Sequence, residues 1–119
     1  MTLRECYDAM GANYEEVLGR LRSEKLIQKF ALKFLDDTSY DLLVASMEAG
    51  DYAEAFRGAH TIKGVCSNLG FTKLLASSSA LTEALRNGYT PEADGLLEQT
   101  RADYEKTVGA LRAFRDANP

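Results

Sequence analysis

The chain has no tryptophan, two prolines, two cysteines and a single histidine among 119 residues, and each scarcity closes off a class of answers. So few prolines leave room for long uninterrupted helices, because proline breaks a helix interior. One histidine and two widely separated cysteines cannot supply the four spaced ligands of a structural zinc site. Cys6 and Cys66 are expected to stay free thiols, with Cys66 a small apolar core residue. No apolar run of about eighteen residues is present, so no helical membrane span is expected. The opening Met1-Thr2-Leu3-Arg4-Glu5-Cys6 lacks the basic-then-apolar pattern of a signal peptide, and a cytoplasmic location is expected. The net charge of −4 argues against non-specific nucleic-acid binding, which needs a basic surface. No glycine-rich phosphate loop occurs, which argues against nucleotide binding and autophosphorylation. Strand-like alternation, internal repeats and long linkers are also missing.

What is present is helical periodicity from end to end. Leu3, Cys6, Tyr7 and Met10 mark a first helix over residues 2–10, ended by Gly11. Asn13, with Glu16 three residues on, opens a second that runs to about Leu21. Ser23 caps a third that reaches about Asp36. Its stripe of Leu26, Ile27, Phe30, Ala31, Phe34 and Leu35 is wider than one buried face needs and is expected to face the core on two sides. A helix from Thr38 or Ser39 carries Tyr40, Leu43, Val44 and Met47 and stops at Gly50. Asp51, with Glu54 completing a capping box, opens the next, which ends at Gly70. Thr72 begins a helix bearing Leu74, Leu75, Leu81 and Leu85, ended by Asn87-Gly88. Thr90-Pro91 opens the last, and its apolar face runs from Ala93 to Phe114. The expected fold is all-α: an up-and-down four-helix bundle with short additional N-terminal helices. One domain is expected over 1–119, with residues 1–22 a helical extension and 23–117 the bundle. The extension either covers one end of the bundle or docks a partner. Monomer is the simplest expectation.

The Asp51–Gly70 segment holds the lone histidine. At about 100° per residue, Ala55, Ile62, Val65, Cys66 and Leu69 share one side, which reads as core. His60 falls almost opposite, among Phe56, Arg57, Lys63, Gly64 and Ser67. An exposed neutral imidazole keeps a nitrogen lone pair and is a nucleophile. Lys63, one turn on, puts an ammonium beside whatever the ring acquires, which suits a phosphoryl group. Glycine inside a helix costs roughly 1 kcal/mol relative to alanine, so Gly64 needs a reason: either tight helix packing or clearance for another protein's backbone. Between Glu54 and Glu83 the chain has no acidic residue while Arg57, Lys63 and Lys73 are present. The surroundings of His60 therefore read as locally positive, complementary to an acidic partner.

Ala59-His60, Ile62-Lys63-Gly64 and Leu69-Gly70, on a helix preceded by Gly50-Asp51, resemble the histidine-containing phosphotransfer (HPt) domain family, and the helical pattern extends the resemblance over residues 23–117. The resemblance implies that His60 accepts a phosphoryl group from the aspartyl-phosphate of a receiver domain and passes it to another receiver. It makes Lys63 the phosphate-side cation and Gly64 the clearance position. Partner docking is assigned to Phe56, Arg57, Ser67 and Thr82, with some of the third helix's stripe beside them. Thr82 stands where the following helix of such domains often carries Gln or Glu. Partners would be receiver domains of response regulators or hybrid histidine kinases. No cofactor of its own is implied, and the magnesium ion would sit in the partner receiver. Such a protein is a phosphocarrier without autonomous kinase or hydrolase activity. A different class, a helical adaptor that docks without being phosphorylated, is the alternative. A small hydrolase using His60 as base lacks both a nucleophile and an orienting carboxylate on the same helix.

Overall fold

A computed structural model describes residues 1–119 and contains helices without strands. In chain order they are α1 (Leu3–Ala9), α2 (Tyr14–Leu21), α3 (Glu24–Lys33), a 3-10 turn (Phe34–Asp36), α4 (Ser39–Ala49), α5 (Tyr52–Leu69), α6 (Thr72–Leu85) and α7 (Glu92–Ala117). Four of the seven α-helix starts are capped by side chains. Thr2, Asn13, Ser23 and Asp51 each accept the backbone N–H three residues on, which satisfies an otherwise orphaned donor. The reciprocal capping box sits at Thr2–Glu5. At Asp51 only half of the expected box forms: the Glu54 carboxylate turns to Arg57 at 3.2 Å, and the Asp51 N–H goes to the Ser46 carbonyl. Gly50 and Gly70 end their helices in the left-handed conformation, φ +72° and +71°.

α4, α5 and α6 each pack along the next helix in sequence. The short Gly50-Asp51 and Gly70-Phe71 connections reverse the chain between them. α7 returns to α4 through Tyr40 and Tyr104, whose rings stack at 3.8 Å and 5°. α1 lies on α7, and α2 on α3. One hydrophobic cluster of 24 buried residues runs from Leu3 to Phe114, so the N-terminal pair shares the bundle's core. An aromatic chain threads it: Tyr14, Tyr7, Phe71, Phe34, Tyr104 and Tyr40 meet pairwise at centroid distances from 3.8 to 5.9 Å.

The wide stripe of α3 is only partly interior. Ile27, Ala31 and Phe34 are buried, whereas Leu26 and Phe30 are 41% and 37% exposed, which corrects the expectation of two core-facing sides. Helix α3 leans on the bundle with one face, and the rest of its apolar surface meets water. Gly58 is the close-packing glycine of the fold: a Cβ there would stand 3.0 Å from the Ser39 carbonyl oxygen and 3.1 Å from the Leu43 nitrogen. It lets α4 and α5 approach backbone to backbone.

Candidate functional site

Helix α5 buries Ala55, Gly58, Ala59, Ile62, Cys66 and Leu69, leaving His60, Thr61, Gly64, Ser67 and Asn68 at the surface. His60 stands near the middle of this 18-residue helix and points away from the core. Val65, expected inside, is half-buried.

Two sides of His60 differ. Toward α6, the Phe56 ring lies 5.8 Å from the imidazole, tilted by 34°. The Arg86 guanidinium lies over that ring, 5.3 Å from its centre. Arg86 also grips Glu83 in a bidentate pair, at 3.1 and 2.7 Å. That hydrogen bonding holds the Glu83 carboxyl below its ordinary value, and the charges of Lys63 and His60 add to the effect. Phe56 is half-buried and Arg57 exposed, with Arg57 tied to Glu54. Lys63 makes no ion pair.

Toward α3, the surface is open. A Cβ on Gly64 would meet nothing within 4 Å, which removes helix packing as the reason for this glycine. Beyond it lies a cleft of about 440 Å³ whose lining includes Phe30, Phe34, Val65 and Leu69 together with Lys33, Asp36 and Asp37.

The structure thus brings His60, Lys63, Gly64, Phe56, Arg57 and Ser67 to one exposed face, and it removes Thr82. Thr82 is fully buried, and its hydroxyl donates to the Ser78 carbonyl of its own helix at 2.6 Å. A buried hydroxyl with its donor already used cannot meet a partner, so the docking role given to Thr82 is corrected. Thr82 was assigned from the resemblance, and its burial follows from α6 packing that no local pattern encodes.

A family model described as Hpt domain matches residues 15–113. No curated protein and no solved structure gives a significant match.

Proposed function

This chain belongs to the Hpt domain family, whose domains perform histidine phosphotransfer in phosphorelays, and from that premise we propose that His60 is the phosphoacceptor. Its accessible ring nitrogen attacks the phosphorus of a receiver's aspartyl-phosphate. The N–P bond forms as the P–O bond to the aspartate breaks, and the carboxylate leaves with the electron pair. The reverse sequence of bond changes delivers the group to another receiver. Lys63 supplies a cation to the phosphoryl oxygens. The in-line approach such a transfer needs suits a ring that stands clear of its own fold. The magnesium ion and the acidic pocket belong to the receiver on this reading. The protein acts as a phosphocarrier, monomeric and cytoplasmic.

The observation that carries this reading is the pairing of one exposed imidazole with a glycine that its own fold does not need. Gly64 leaves open the side from which a partner's backbone would come. Around that opening, Phe56, Arg57 and Ser67 offer docking contacts. The Phe30–Val65 cleft adds apolar surface with both signs of charge in its lining.

The test is transfer of labelled phosphate from phosphorylated receiver domains to wild type and to His60→Gln. Acid-labile label on wild type and none on the variant is the expected result. If no receiver gives label, yet one binds both proteins equally, the carrier reading is wrong and the chain is an adaptor.

A further inference from the structure

A helix leaves its last carbonyls without intrahelical donors, and at the end of α5 each of them is supplied from elsewhere. Cys66 accepts the N–H groups of Gly70 and Phe71. Beyond it, the N-terminal segment takes over. Arg20 Nη2 donates to the Ser67 and Asn68 carbonyls at 2.9 and 2.7 Å. Tyr7 Oη donates to the Leu69 carbonyl at 2.8 Å. The Asn13 N–H donates to the Gly70 carbonyl at 2.8 Å. Tyr7 and Asn13 lie before residue 15, where the family match begins.

The arrangement is built on both sides. Arg20 Nη1 is held by Glu16 at 2.7 Å, so the guanidinium is fixed before it reaches α5. A cation there also complements the negative end of the helix dipole. Asn13 can approach only because residue 70 is glycine, since a Cβ would stand 2.8 Å from the Asn13 carbonyl oxygen. Buried Tyr7 sits between Tyr14 and Phe71 at centroid distances of 5.6 and 5.7 Å, which leaves its hydroxyl little freedom.

We propose that Arg20 is a positioning residue for the site helix. Its fork, together with Tyr7 and Asn13, clamps the last turn of α5 and so fixes the Ser67–Asn68 end of the face that a partner covers. The N-terminal pair is then an internal clamp, in place of the partner-docking element that the sequence left open. The link to partner recognition rests on the phosphocarrier reading; the clamp on α5 does not.

Two variants test it. Arg20→Met removes the fork, and Arg20→Lys keeps the charge while losing the paired donors, with less disturbance to folding. Amide hydrogen exchange and the KM and kcat of transfer from a phosphorylated receiver are measured together. In Arg20→Met, exchange at residues 67–72 is expected to quicken about tenfold, the scale of losing charge-assisted hydrogen bonds, with α7 unchanged. KM is expected to rise about tenfold while kcat stays within about twofold, and Arg20→Lys is expected to fall between. Uniform acceleration along the chain in both variants assigns Arg20 to global stability and overturns the proposal. So does local loosening with KM unchanged. If wild type takes no label from any receiver, the phosphocarrier reading fails on its own. Exchange then decides the clamp: acceleration confined to residues 67–72 upholds it, and no acceleration overturns it.

Discussion

Two glycines six residues apart on α5 have opposite roles, and the contrast is measurable. Gly58 admits the α4 backbone, so Gly58→Ala forces a Cβ to 3.0 Å from the Ser39 carbonyl oxygen. The expected cost is about 1–3 kcal/mol, the range for overpacking. Gly64 has open space where its side chain would be, so Gly64→Ala should gain up to about 1 kcal/mol through helix propensity. Urea unfolding of both variants checks the signs. On the carrier reading, a bulkier Gly64→Val should slow transfer from a receiver without unfolding the protein. The sequence pattern distinguished Gly64 because a glycine inside a helix, beside His60, is costly without a reason. Gly58 escaped notice because its reason lies in α4, across a contact that no local pattern encodes. Arg20 was hidden likewise: its partners are backbone carbonyls 47 and 48 residues away.

At the scale of elements, the helix starts were legible because caps are local chemistry. Ser23 and Asp51 announce themselves by residue type and the polarity that follows. The missed Thr2–Glu5 box shows a further consequence. The Thr2 N–H, and then its hydroxyl, hold the Glu5 carboxyl below the ordinary 4.5. In α6 the hydrogen bond from Arg86 does the same for Glu83. A carboxyl whose folded pKa is depressed binds fewer protons folded than unfolded, so it contributes stability that is present above about pH 4.5 and lost as pH falls through the folded value. Urea midpoints should therefore decline below that pH. Glu5→Gln and Glu83→Gln should each make the decline shallower, by a modest amount since both carboxylates are exposed. Phe71 marks the limit of such reading. It sits at the N-cap of α6, outside any periodic stripe, yet it is buried and joins the aromatic chain.

For the whole molecule, the continuous core from Leu3 to Phe114 predicts joint behaviour of the two thiols. Burial pushes the Cys6 thiol up to about 11 and raises Cys66 further still. Cys6 also donates its S–H to the Ala110 carbonyl at 3.4 Å. Neither thiolate is accessible in the folded protein. Alkylation near pH 8 should be negligible until urea unfolds the chain, and both cysteines should then react with one shared midpoint. Modification of Cys6 well before Cys66 would mean that α1 detaches before the bundle opens. The helix order and the exposed His60 face could be read from periodicity alone. The sharing of the core by α1 could not, because Leu3, Cys6, Tyr7 and Met10 fit an amphipathic helix on any partner surface equally well.

The place of His60 along α5 has a last consequence. With 18 residues in the helix and about 1.5 Å of rise per residue, the imidazole stands roughly 12 Å from either end. The backbone amides around it are consumed by the helix ladder, and the free N–H groups at the start of the helix, which cradle phosphates in nucleotide-binding folds, are out of reach. A phosphoryl group on this ring would be met by side chains alone, chiefly one ammonium. A deep anion cradle would lower the energy of the loaded state and hold the cargo back. On the carrier reading, a helix midpoint keeps the grip loose, so that the group stays ready to leave.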